Sequence, residues 1–197
     1  MARNRNPRFK ESRRLGVNIY GHPKAMNRYS KGMGRGDRKI STYGEQLLQK
    51  QRLKAYYGVL ERQMRRYMDK AKKSNEITGT ALVIELETRL DNMVYRMGFA
   101  SSIREARQMV VHRHILVNGK RVDRPSYQIS IGDVISLKES SRDNGKFKEN
   151  FTEQKSHVPY IEKDVENFKA TYIKQPEREE IPIEVNDQMV VEYYTAV

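Results

Sequence analysis

The chain has no cysteine among its 197 residues, which excludes disulfides and thiolate-held metal and permits a reducing compartment. No apolar run approaches the ~20 residues that a membrane-spanning helix needs. The basic opening MARNRNPRFK has no apolar segment behind it, so no secretory signal is expected there. Leu, Ile, Val and Phe make up only about a fifth of the residues, close to the ~20% below which chains tend to stay disordered. A packed core is therefore expected in part of the molecule only. Acid is scarce in the first stretch. Residues 1–73 hold 21 Lys/Arg against 5 Asp/Glu, residues 74–139 hold 9 against 8, and residues 140–197 hold 8 against 12. A basic half beside a mildly acidic end points to a polyanion on one side of the molecule. No amphipathic helix carries the broad aliphatic face that membrane insertion requires, which favours nucleic acid over an anionic membrane.

The richest stretch runs from Thr88 to Leu137. Leu90, Met93 and Met97 share a helical stripe, and Gly98 stands where a helix usually ends. A second helix is expected to open on a capping box, with Ser102 accepting from the Glu105 backbone and the Glu105 carboxylate reaching back to the Ser102 N–H. Ile103, Ala106 and Val110 form its apolar stripe, while Arg104, Arg107 and Gln108 occupy another face. Ile115 and Val117 alternate as in a half-buried strand, and Asn118-Gly119 is a strong hairpin signal. The basic face then continues through His112, Arg113, Asn118, Lys120 and Arg121. Donors held rigidly in this way suit a phosphate backbone. The competing reading is a solvated helix face. It is weakened because Glu105 is the only acid between Arg104 and Arg121.

Upstream, residues 1–41 form a basic extended arm whose few apolar residues (Phe9, Leu15, Val17, Ile19, Ile40) cannot offset the entropy of ordering. Arg3, Arg5, Arg8, Lys10, Arg13 and Arg14 are candidate phosphate contacts. Lys31, Arg35, Arg38 and Lys39 sit in a Gly-rich loop able to press its backbone against phosphates, and this arm is expected to be loose alone and to order on a nucleic acid. No apolar strand precedes the loop, so it is not a nucleotide-binding turn. Thr42 to Glu45 reads as a capping box opening one long helix to about Lys73. Leu53, Tyr57, Leu60, Met64, Tyr67 and Ala71 line one face, and their aromatics read as core rather than as base-stacking platforms. Lys50, Lys54, Arg62, Arg65 and Arg66 cover the remaining surface as further candidate phosphate contacts. Thr80 to Glu87 is a short helix.

After Leu137, a charged stretch of loop and short helix leads to an alternating strand over 168–173. Ile181, Ile183 and Val185 then alternate around Pro182, which suggests an edge strand. Residues 189–194 fit a strand or a short helix, and periodicity leaves both open. Glu177, Glu179, Glu180 and Glu184 are expected to face basic neighbours.

The motifs Arg89-Leu90-Asp91, Ser102 with Glu105-Ala106-Arg107, Val117-Asn118-Gly119, Pro125-Ser126-Tyr127 and Gly132-Asp133 resemble a small RNA-binding domain. That domain is named after bacterial small-subunit ribosomal protein four. Tyr95 to Phe99, Gln108 and Tyr57 to Gln63 are similar to the ribosomal family itself, and the resemblance runs the length of the chain. It implies an α+β fold: a helical N-terminal domain with a basic extended arm, then two helices packed on an antiparallel sheet. The expected divisions are the arm 1–41, a helical domain 42–87, the small RNA-binding domain 88–150, and acidic strands and tail 151–197 packing back on both domains. It also implies a structural protein of the small ribosomal subunit in the cytoplasm. Such a protein would bind a multi-helix junction in the 5′ part of the ribosomal RNA early in assembly. Ribosomal protein five is an expected partner, with an influence on translational accuracy. Ribosomal protein three and messenger RNA are further partners where the messenger enters. Many relatives carry a four-cysteine zinc site in the arm. This chain departs from them, and neither a metal nor a cofactor is expected.

Enzymatic readings fare poorly. Pseudouridine synthases share a Gly-Arg-Leu-Asp motif, but Thr88 precedes Arg89 here and no room remains for a catalytic sheet. Asp91 is better read as a first-turn carboxylate stabilising a helix N-terminus. His22, His112, His114 and His157 lack metal spacing. A free-standing RNA chaperone built on the same small domain would not need the long helical N-terminal part.

Overall fold

The structure, a computed structural model, describes residues 6–28, 40–153 and 158–196. The basic loop at Lys31–Lys39, with Arg3 and Arg5, lies outside the described residues. The chain divides into two compact units, Met1–Leu82 with Ile183–Val197, and Val83–Pro182.

In the first unit, α1 (Arg8–Leu15) ends at Gly16, and a 3-10 turn (Pro23–Ala25) is capped by the His22 ring, which accepts from the Lys24 N–H. The next helix, α2 (Thr42–Tyr56), is capped by Ser41 accepting from the Gly44 N–H at 3.2 Å, not by Thr42 as the sequence suggests. The Arg52 Nε donates to the Leu15 carbonyl at 2.9 Å and ties α1 to α2. Leu15, Ile19 and Ala55 are buried together there.

The single long helix expected over 42–73 is two helices. After α2, the Gly58 and Val59 N–H groups bond back to the Ala55 and Lys54 carbonyls, and Gly58 takes φ +59. Leu60 is extended, and α3 (Glu61–Ala71) starts afresh. Glycine adopts this left-handed conformation without the Cβ clash that other residues meet. Apolar spacing alone misses the break because Leu53, Tyr57, Met64 and Ala71 are buried on both sides of it.

The ambiguous C-terminal segment is helical. In α9 (Asp187–Ala196), Val190 and Tyr193 are buried and Asn186 accepts from the Met189 N–H. It packs on α2. No strand forms over 181–185: a 3-10 turn (Arg178–Glu180) leads into irregular chain, although Ile181 and Ile183 are still buried. Alternation here reports burial rather than sheet pairing.

From the first unit's span, α4 (Thr78–Glu87) runs into the second. There α5 (Leu90–Arg96) and α6 (Ile103–Val111) pack together. They accompany five strands: β1 (Ile115–Val117), β2 (Lys120–Arg121), β3 (Val134–Leu137), β4 (Ile161–Asp164) and β5 (Lys169–Tyr172). All pairs are antiparallel in the order β2-β1-β3-β5-β4, with Val117 opposite both Lys120 and Ile135. Arg89 bridges Gln128, and the Leu90 and Asp91 N–H groups donate to the Tyr127 and Pro125 carbonyls, which binds the start of α5 to the loop before β3. Helices α7 (Glu139–Arg142) and α8 (Gly145–Glu153) follow β3. Phe151 of α8 stacks on Phe99 at 4.3 Å between ring centroids inside the main core. The layout is the α+β arrangement implied by the resemblance.

Candidate nucleic-acid interface

In α6, Ile103, Ala106, Met109 and Val110 are buried, and this periodicity forces Gln108 and Val111 to the surface. Ser102 caps the helix, accepting from the Glu105 N–H at 3.3 Å. The second half of the expected capping box is shifted by one residue. The Glu105 carboxylate accepts from the Ser101 N–H at 2.9 Å and from its hydroxyl at 2.6 Å. Only three residues separate α6 from β1, and the Arg113–Asp123 pair ties the turn after α6 to the chain that leaves β2. His112, Arg113 (φ +63), Lys120 and Arg121 are all exposed. The hairpin turns through Asn118 (φ +50) and Gly119 (φ +76), the positive pair that a two-residue type I′ turn requires. Arg124 adds an exposed cation that the helical spacing does not mark.

Three expected contacts have other commitments. Arg107 donates through Nη1 to Asp91 Oδ2 at 3.0 Å, and its side chain is only 15% exposed. The same carboxylate takes Nε and Nη2 of the wholly buried Arg89 at 3.0 and 2.6 Å. Asp91 is thus the link between two guanidinium groups, beyond its place in a helix's first turn. Asn118 is exposed, but its amide nitrogen donates to Asp133 at 2.7 Å and its oxygen accepts from the Val134 N–H at 2.9 Å. It fastens the turn to β3. Arg113 pairs at 3.0 Å with Asp123, yet remains 65% exposed. Such a surface pair is weak and easily exchanged for another anion. Arg104 is half-buried.

In the first unit, Lys50 is 5% exposed, with its Nζ 3.3 Å from Glu61 and 4.1 Å from the Tyr193 ring centroid. Lys54 donates to Glu61 at 2.7 Å and is 16% exposed. Neither projects a charge outward, contrary to expectation. The break at Gly58 brings the start of α3 back against α2, a proximity that a continuous helix would not have produced. Burial alone would raise the Glu61 carboxyl. Hydrogen bonds from Lys54 and Tyr194, with the Lys54 and Lys50 charges, outweigh it and bring the group down to about 2. Arg62, Arg65 and Arg66 of α3 are exposed, as are Arg8, Lys10 and Arg14 of the α1 region. Arg13 is half-buried, its guanidinium 3.5 Å from the Ala25 carbonyl.

Next to His112, His114 shares a 2.9 Å hydrogen bond with the Ser141 hydroxyl. Burial first, then the charges of His112 and Lys138, hold its imidazole below the ordinary value. Among the described residues, no group of three His, Asp or Glu is placed to hold a metal ion, and no helix is long and apolar enough to cross a membrane.

A basic helical unit and a small α+β unit with outward-facing cations define a two-module protein built to hold a polyanion. Residues 3–87 match the family described as the ribosomal protein S4/S9 N-terminal domain, and residues 88–135 match the S4 domain. The chain is 58% identical over 198 residues to small ribosomal subunit protein uS4 of Finegoldia magna, covering 99% of this chain and 100% of that one. It is 52% identical over 195 residues to uS4B of Clostridium acetobutylicum (99% of each), and 48% over 173 residues to uS4A of Clostridium novyi (87% and 84%). The chain belongs to the uS4 family of small ribosomal subunit proteins. It is a ribosomal protein and not an enzyme.

Proposed function

We propose that this protein is a primary binder of small-subunit ribosomal RNA that grips a multi-helix junction in the 5′ domain and nucleates assembly around it. The supporting observation is that exposed cations occur in both units: Arg62, Arg65 and Arg66 on α3, and His112, Arg113, Lys120 and Arg121 in the α+β unit. Each set stands on a backbone fixed by buried residues, so the donors meet RNA phosphates already ordered. Ribosomal protein five is the proposed neighbour through which the protein influences translational accuracy. Protein three and messenger RNA are further contacts where the messenger enters, all within cytoplasmic ribosomes.

Neutralising about eight phosphates should give a log–log salt slope of roughly −6 to −7. The test is protection mapping of small-subunit RNA with the full chain. Protection confined to one junction is expected. Equal affinity for heparin and no footprint at any junction would overturn the reading.

A further inference from the structure

The outer face of the sheet carries a groove that phosphate binding does not account for. Ile115, Val117, Ile135 and Leu137 point into the core, so the residues between them face away from it. Leu116 on β1 lies directly opposite Arg121 on β2, and directly opposed residues place their side chains on the same face. Lys138 follows β3, α7 supplies Glu139 and Ser140, Asp143 caps that helix, and Gly119 of the hairpin lies alongside. Together they line an open groove of about 560 Å³.

Its charge is unusual. Two cations and two carboxylates line one space, yet among the described residues no hydrogen bond or ion pair uses the side chain of Arg121, Lys138, Glu139 or Asp143. Elsewhere in the same unit opposite charges meet: Arg113 with Asp123, Lys146 with Glu105, and Arg96 with Glu87.

We infer that this groove takes a single unstacked guanosine nucleotide, with its phosphate on Lys138 and its base edge on the carboxylates of Glu139 and Asp143. A carboxylate only accepts hydrogen bonds, so it selects an edge offering two adjacent donors. Guanine presents N1–H and its 2-amino group side by side, whereas adenine and cytosine offer a donor next to an acceptor. Leu116 and the planar Arg121 guanidinium supply a surface against which a base can lie. The inference deepens the RNA-binding reading by adding a base preference to a phosphate grip. The nucleotide can belong to ribosomal RNA or be free in solution.

The test has two arms. In the first, GMP, IMP, AMP and inorganic phosphate are titrated into the full-length protein and followed through the Leu116, Gly119 and Ser140 amide resonances. GMP should bind at least about five-fold more tightly than IMP, which lacks only the 2-amino group. Glu139→Gln with Asp143→Asn should bring that ratio to about one without disturbing the rest of the spectrum. Lys138→Ala should weaken GMP and IMP equally. In the second arm, small-subunit RNA bound to the protein is probed at guanine N1 and N2. A guanine protected by the wild type and reactive with the double variant assigns the RNA as source, and GMP selectivity without such a guanine assigns the free nucleotide. Equal binding of GMP, IMP and phosphate, or no response at Leu116, Gly119 and Ser140, overturns the inference. The junction footprint would survive that failure, so the two readings fall separately.

Discussion

Arg107 of α6 reaches Asp91 at the start of α5 with 3.0 Å between Nη1 and Oδ2, and Arg89 grips both oxygens of the same carboxylate. One buried acid thus fixes two helices against each other. Asp91→Asn removes the charge facing the fully buried Arg89 guanidinium. It should cost about 3–5 kcal/mol, because removing one charged partner of a buried ion pair is strongly unfavourable. Urea unfolding of the two proteins measures it, and a loss below 1 kcal/mol would show that the pair is not a structural anchor.

The salt dependence of RNA binding separates outward cations from inward ones. Lys120→Ala and Arg66→Ala each remove an exposed charge, so each should flatten the log–log slope by about 0.7–0.9. Lys50→Ala should leave the slope unchanged, since Lys50 faces Glu61 and Tyr193. Filter-binding titrations between 50 and 300 mM salt, at roughly the screening lengths where such charges matter, decide between them.

Acid should loosen the first unit through Glu61. Its pKa falls from 4.5 to about 2 on folding, so its contribution is full above about 4.5 and is lost as pH drops towards 2. The Glu61→Gln variant lacks this dependence. The stability gap between wild type and variant should be widest at pH 6 and should close as pH falls through that window, as followed by urea midpoints.

His114 shows the opposite charge type. Burial and its cationic neighbours lower its pKa on folding, so the native state disfavours protonation. Stability attached to His114 is complete above the unfolded value of about 6.5 and diminishes as pH falls below it. Its ring resonances should titrate below 6.5, and Lys138→Ala should move the midpoint upward. A midpoint at or above 6.5 in the native protein would contradict the geometry.

Gly58→Ala should destabilise the protein by about 1 kcal/mol, although no atom lies within 4 Å of the added Cβ. The cost comes from φ +59 alone, and thermal or urea unfolding reads it.

Local patterns by themselves determined the amphipathic α6 with its Ser102 cap, the Asn118-Gly119 turn, the alternating β5 and the unequal spread of charge. Each depends on residues within a few positions of one another, where spacing translates directly into a face or a turn. Apolar periodicity could not reveal the interruption at Gly58, because buried residues fall in phase on both sides of it. Only the tertiary structure decided which cations face solvent. Lys50 and Lys54 look like Arg62 and Arg66 along the chain, and Arg107 looks like Gln108's partner on an open face. Whether such a charge is available to an anion depends on whether folding brings Glu61 or Asp91 against it. That proximity belongs to the packed chain and has no counterpart in residue order.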